Sequence, residues 1–221
     1  MRSDPLIVLD EAYGDFAPED GLRLVERHSA LLVLRTFSKS YSAAGIRVGF
    51  GFGHPKLIGR LRNIQNVFDM NVVAHALGMS VLAHRDAYEE NHRHVRLERQ
   101  RVAAALSEFG FSLTPSHANF LLARVPVGQS GRWWQAALEE HNVLGAFFPD
   151  AGLEEYIRVS ISTKRQMDAL LRAVAAFLRK LDAVASGPFN SCHGFPFVID
   201  LDEHLMRLRD AAGVSFHPIS A

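Results

Sequence analysis

Leu6-Ile7-Val8-Leu9 is an unbroken apolar run that ends in Asp10-Glu11. With no polar alternation, such a run does not suit a strand with one wet face. It predicts a strand covered on both sides in a parallel sheet. Leu31-Leu32-Val33-Leu34 repeats the pattern, and Val48-Gly49-Phe50-Gly51-Phe52 reads as a third strand, unusually rich in glycine. Between the first two, Pro18-Glu19-Asp20 opens a short helix through about Arg27. Strands alternating with helices predict an α/β fold with crossover connections, a mostly parallel sheet with helices around it.

Helices dominate the next stretch. Pro55 starts one whose Leu57, Ile58, Leu61 and Ile64 share a face. A second covers Val72 to Ala83, and a long third opens at Asp86 as N-cap and stops at Gly110. Val95, Val102, Leu106 and Phe109 form a single stripe on it and the rest is charged, which suits a helix linking two domains. Downstream the texture is that of a small α+β unit. Asn119 to Ala123, Val143 to Phe148 and Tyr156 to Ile161 are its strands, and Ser130 caps a helix through His141. Thr163 with Gln166 makes a capping box. The helix it opens carries Met167, Leu170, Leu171, Val174, Leu178 and Leu181 at helical spacing, a core stripe. Ser186-Gly187-Pro188 is a linker signal, followed by a short strand at Phe197-Val198-Ile199 and a weak helix from Glu203 to Ala212. The expected divisions are residues 1–85, a connecting helix over 86–110, the small domain over 111–182, and an unassigned tail over 183–221.

Composition removes several function classes. The chain has 221 residues, 48% hydrophobic and 22% charged, with formal net charge +0, so it is globular and offers no basic surface for nucleic acid or acidic lipid. Its lone cysteine, Cys192, leaves no intrachain disulfide and no thiolate metal site, and it fits a reducing cytoplasm. Met1-Arg2-Ser3-Asp4-Pro5 leads straight into a strand and is no signal peptide. Val72 to Ala83, interrupted by His75, is too short to span a bilayer.

The chemistry gathers at the ends of the first strands. Asp10 and Tyr13 follow the first apolar run; Thr36, Ser38 and Lys39 follow the second; Arg47 precedes the third. In open α/β sheets ligands bind beyond the carboxyl ends of strands. A carboxylate there can keep a pyridine nitrogen protonated, a desolvated lysine can form an imine, and hydroxyls with an arginine can hold a phosphate. Those are the parts needed to hold pyridoxal phosphate. Taken singly, each has a plainer reading: Asp10 a helix cap or turn acid, Tyr13 a half-buried core tyrosine, Lys39 a solvated lysine, Arg47 and Arg158 surface arginines. Other motifs carry less. Gly49-Phe50-Gly51-Phe52-Gly53 matches neither dinucleotide nor P-loop spacing. His92 and His94 stand two apart on a helix and make a poor metal pair. Trp133-Trp134 is packing or a dimer contact.

Three segments carry a resemblance: Asp10-Glu11-Ala12-Tyr13, Arg35-Thr36-Phe37-Ser38-Lys39-Ser40-Tyr41, and Ala44-Gly45-Ile46-Arg47-Val48-Gly49-Phe50. Together they resemble the fold-type I pyridoxal-phosphate aminotransferases, and among them most closely the histidinol-phosphate aminotransferases. Pro115-Ser116-His117-Ala118-Asn119-Phe120-Leu121 and Tyr156-Ile157-Arg158-Val159-Ser160-Ile161-Ser162 extend it, so that it runs from about Leu6 to Leu181. The resemblance implies that Lys39 joins the cofactor and moves the proton. It implies that Asp10 pairs with the ring nitrogen, Tyr13 with the ring hydroxyl, and Thr36, Ser38 and Arg47 with the phosphate. Arg158 would bind the substrate α-carboxylate. The reaction implied is transfer of an amino group from histidinol phosphate to 2-oxoglutarate, in a homodimer. Threonine-phosphate decarboxylase, or another class I/II aminotransferase, is the alternative within the same cofactor set. The family's N-terminal half has no counterpart here, which would leave the strand at Leu6 exposed on an edge or face. The tail from Ala183 has no counterpart in the family. A reading of another class is therefore an incomplete, non-catalytic chain or one half of a split enzyme, with a separate chain supplying the rest.

Overall fold

The computed structural model describes residues 5–66 and 69–185. The linker at Ser186-Gly187-Pro188, Cys192, the strand at Phe197 and the helix from Glu203 lie outside them. Residues through Arg179 cluster into one compact unit; of a second, beginning at Lys180, the described residues include only the end of the last helix.

The first sheet has three strands. β2 (Leu31–Thr36) is central, β1 (Ile7–Asp10) pairs with it in parallel, and β3 (Gly49–Gly53) pairs antiparallel. Leu31, Leu32 and Val33 are buried, as the apolar run predicts. β1 lacks the two-sided cover its apolar run suits and is exposed, as expected where the N-terminal half is missing: Ile7 is 59% and Val8 50% exposed. The reason is position. β1 is the edge strand, and the two-sided cover that its composition suits is absent among the described residues.

Helix α1 (Leu22–Val25) is shorter than the span expected from Pro18. The Gly21 amide donates to Glu11 Oε1 and the Leu22 amide to Asp20 Oδ1, at 3.1 Å for the latter. These carboxylates satisfy the free N–H groups of the first turn, so the helix starts there. α2 (Pro55–Ile64) half-buries Leu57, Ile58 and Leu61 and leaves Ile64 in solvent. α3 (Val72–Ala83) is capped by Asn71, whose Oδ1 accepts from the Ala74 amide at 2.8 Å. It packs Ala74 and Val81 into a cluster with Phe37 and Val48.

α4 (Arg85–Glu108) begins at His84, and Asp86, expected as its cap, lies inside the first turn, where its charge suits the helix dipole. Gly110 follows with φ +86, the left-handed conformation that only glycine adopts at little cost. Val102 and Leu106 are buried as expected, but so are His92, Glu98 and Arg99.

The second sheet is antiparallel, in the order β4 (Ser112–Leu113), β5 (Phe120–Arg124), β7 (Tyr156–Ser160), β6 (Ala146–Phe147). Leu121, Ala123, Ile157 and Val159 point inward, the period-two pattern of a one-sided sheet. α5 (Gly131–Glu139) packs on β6 and β7, capped by Ser130 as expected. Its Gly131 is required: a Cβ there would stand 2.3 Å from the Tyr156 carbonyl oxygen. Trp134 is fully buried, with ring centres of Phe111 and Phe177 at 4.7 and 4.9 Å. Phe177 comes from α6 (Lys164–Ala185), which buries Met167, Leu170 and Val174. The Trp133-Trp134 pair is thus packing within the chain.

Candidate functional site

β1 and β2 run parallel, so their carboxyl ends lie at one edge of the sheet, and β3 begins at that edge. The register pairs Asp10 with Leu34 and Thr36 with Gly49. Asp10, Thr36 and the loop leading to Arg47 are therefore neighbours by strand pairing, at the sheet edge where α/β folds bind ligands.

Asp10 is exposed, and its Oδ1 accepts from the Ala12 amide at 3.0 Å, which turns the chain toward Tyr13. Asp10, Glu11, Tyr13, Gly14, His117 and Ala118 line an open cleft of about 250 Å³. The Tyr13 ring is half-buried, and the Lys39 Nζ sits over it, 5.7 Å from its centroid. Lys39 is exposed rather than desolvated as expected, because Tyr13 covers one side of it only.

Thr36 Oγ1 lies 3.0 Å from both the Val48 carbonyl oxygen and Ser38 Oγ, and accepts from the Ser38 amide at 3.1 Å. A carbonyl can only accept, so the Thr36 proton goes to Val48. Thr36 clasps the loop shut, and the Ser38 hydroxyl donates to Thr36 Oγ1. Arg47 adopts φ 55, ψ 42 and is exposed; its Nη1 donates to the Ala44 carbonyl at 3.2 Å.

Arg158 stands on β7 of the other sheet. Its guanidinium carbon is 5.5 Å from the ring centres of both Phe120 and Phe148, and no carboxylate partners it among the described residues. Phe120 in turn meets Tyr13 edge-on at 5.5 Å. Lys39, Tyr13, Phe120 and Arg158 form one continuous path from sheet to sheet.

Sequence reasoning missed a second group around this path. Arg35 bonds Glu11 at 2.8 and 3.1 Å and reaches Asp15 at 3.3 Å. Burial by itself would lower the Arg35 pKa, but the hydrogen bond it donates to Glu11 and the carboxylates of Glu11, Asp15 and Asp20 outweigh it, and the pKa is raised. The Ser40 hydroxyl donates to Asp15, and its carbonyl accepts from His92 Nε2 at 2.9 Å. One face of α4 presents three donors to site-bearing segments. Beside His92, Arg96 donates to the Asp15 carbonyl at 3.0 Å, and Arg99 to the carbonyls of Ala118 and Phe16 at 2.6 and 3.3 Å. The spacing of 92, 96 and 99 was a visible signal, one helical face of donors, but nothing in it names the carbonyls. His94 turns elsewhere, toward the Ser162 carbonyl at 3.2 Å.

Residues 2–174 match the family described as aminotransferase class I and II. The chain is 70% identical over 181 residues to a histidinol-phosphate aminotransferase of Mesorhizobium japonicum, covering 82% of this chain and 49% of that one. A crystal structure of histidinol-phosphate aminotransferase from Clostridium acetobutylicum superposes with TM-score 0.73 at 24% identity, covering 80% of this chain and 55% of that one. A second, from Sinorhizobium meliloti in complex with pyridoxal-5'-phosphate, superposes with TM-score 0.66 at 28% identity, covering 80% and 49%. The chain spans about half the length of the curated relatives it matches.

Proposed function

The chain belongs to the class I and II aminotransferase family, and from that premise we propose that its site serves pyridoxal-phosphate-dependent transamination, with histidinol phosphate as amino donor and 2-oxoglutarate as acceptor. The observation that carries this reading is the meeting of Asp10, Tyr13 and Lys39 at one strand edge, with Arg158 joined to them through Phe120. The 70% identity to a protein named for that donor supports the choice of substrate.

The donor set fits the cofactor. Asp10 offers an exposed carboxylate for a protonated ring nitrogen, Tyr13 a phenol for the ring oxygen, and Lys39 an amine for the aldehyde carbon. The Ser38 hydroxyl, free to rotate from Thr36 toward an anion, and the solvent-facing Arg47 guanidinium together suit the phosphate. Thr36 supports them by holding the loop. When bound, pyridoxal phosphate supplies the electron sink that stabilises negative charge at the substrate α-carbon. Lys39 would be the base that moves the substrate α-proton. Asp10 holds the ring nitrogen positive, and Arg158 orients the substrate by its α-carboxylate, a planar fork matched to a planar anion.

The domain reading follows from the same roles: residues 1–85 carry the cofactor site, 86–110 connect, and 111–182 bring Arg158. A homodimer in the cytoplasm, with further polypeptide from a separate chain or the same protein, completes the proposal. The coverage of 49% of the relative and the exposed apolar edge of β1 support the need for further polypeptide.

The test is to add pyridoxal phosphate to the chain, reduce with borohydride and map the modified peptide. Label at Lys39, lost in Lys39→Ala, is the expected result; label spread evenly over the lysines sinks the proposal. Assaying histidinol phosphate against threonine phosphate then separates transamination from decarboxylation. Trapping at Lys39 without turnover is the outcome expected of a chain that needs a second polypeptide.

A further inference from the structure

We propose that His92 and Asp15 are positioning residues for Lys39, acting on it through Ser40. The inference rests on the reading of Lys39 given above, and it adds a device that its motif does not contain.

The Lys39 amine makes no hydrogen bond among the described residues; only the Tyr13 ring attends it. Its place is therefore set by the backbone that carries it. That backbone is a demanding one. Ser42 and Arg47, neither of them glycine, both lie at positive φ, 53° and 55°. Such conformations persist only where surrounding contacts hold them.

The contacts concentrate on Ser40. It is 4% exposed, whereas its neighbour Lys39 is exposed. Both polar ends of Ser40 are taken: the hydroxyl donates to Asp15 and the carbonyl accepts from His92 Nε2 at 2.9 Å. The two anchors are themselves fixed. Arg35 reaches the Asp15 carboxylate at 3.3 Å, and Arg96 donates to the Asp15 carbonyl at 3.0 Å. The His92 ring is 3% exposed and set edge-on against Phe16 and Tyr41, at 5.6 and 5.5 Å. Its Nε2 must carry a proton, because a carbonyl can only accept. A loop pinned one residue beyond the lysine, from a long helix on one side and from the turn after Tyr13 on the other, fixes the point and direction from which the Lys39 side chain extends toward Tyr13. Tyr13 and Asp15 lie in that same turn, so the ring under the amine and the anchor of its backbone move together. The plainer role for His92, a buried core histidine, predicts loss of stability without selective effect on Lys39.

The experiment uses the full chain and its four lysines, Lys39, Lys56, Lys164 and Lys180. Lys56 is an exposed reference in α2. Two ratios of Lys39 to Lys56 modification are read by peptide mapping: reductive trapping of pyridoxal phosphate, and acetylation by trace acetic anhydride. In His92→Leu the trapping ratio falls about fivefold, the size expected of one lost hydrogen bond. The acetylation ratio rises, as the amine leaves the cover of the Tyr13 ring. His92→Gln, whose side-chain amide can donate to the same carbonyl, restores both ratios to within about twofold. Ser40→Ala, which removes one hydroxyl, shifts both ratios in the same directions as His92→Leu and keeps the test alive should the leucine variant not fold. Unchanged ratios in folded variants overturn the proposal, as does equal loss in His92→Leu and His92→Gln. If the native chain shows no preference for Lys39 with pyridoxal phosphate, the proposed function fails, and the acetylation ratio alone decides the positioning role.

Discussion

Lys39 and Tyr13 meet amine over ring, with Nζ 5.7 Å from the ring centroid. The contact matters because the same ring touches Phe120, which carries Arg158 on its other side. Two cations far apart in the chain are thereby joined by aromatic surface.

The ring, more than the hydroxyl, should hold this junction. Tyr13→Ala is expected to lose about 2 kcal/mol of stability, since a half-buried aromatic loses roughly half of what a buried one does. Tyr13→Phe should stay within about 0.5 kcal/mol of the native chain. Chemical denaturation measures both, and equal losses would assign the contribution to the hydroxyl instead.

Arg158→Lys keeps the charge and discards the plane. The guanidinium lies 5.5 Å from the ring centres of both Phe120 and Phe148, and its planar fork is what a lysine cannot reproduce. On the role proposed for Arg158, affinity for an amino-acid carboxylate should drop by about 2 kcal/mol, the scale of a hydrogen bond to a charged group. Substrate titration reads this, while the unfolding midpoint should move little. An unchanged affinity would remove Arg158 from the site.

Trp134 anchors the second sheet. Fully buried, it packs on Phe111 and Phe177 and donates Nε1 to Gln129 at 2.6 Å. Trp134→Ala should cost about 3–5 kcal/mol. Trp134→Phe should cost less, losing chiefly the indole hydrogen bond. The residual fluorescence of Trp133 reports unfolding in both.

Tyr41 sets an alkaline dependence. Burial pushes its phenol pKa up, and the negative charge of Asp15 adds to this. The folded chain therefore holds this proton more tightly than the unfolded chain. The contribution is fully present below the ordinary phenol value of about 10 and is lost as pH rises through the higher folded value. Ultraviolet titration of the four tyrosines should show one ionising late, and Tyr41→Phe should abolish that late step. A single common transition would contradict it.

Local order was legible to the extent that it depends on neighbours in the chain. The core stripe of α6, the Ser130 cap and the stop at Gly110 follow from spacing and from which residues satisfy helix ends. The exposure of β1 was not legible in its apolar letters, because burial depends on what lies beside a strand. Ser40 and His92 were equally silent. A serine after a lysine and a histidine in a charged helix have no pattern that marks them as partners 52 residues apart.

What the sequence by itself determined is most of the local elements and the candidate groups for chemistry that they carry: Asp10, Tyr13, Ser38, Lys39, Arg47 and Arg158. Side-chain chemistry and short-range periodicity are properties of the chain and survive any packing. Tertiary structure alone decided that Thr36 serves Val48, that Lys39 lies over Tyr13 in solvent, that Arg158 reaches the first sheet through Phe120, and that His92 holds Ser40. Each of those rests on a separation of a few ångströms between residues distant in sequence, and such separations come into being only when the elements pack.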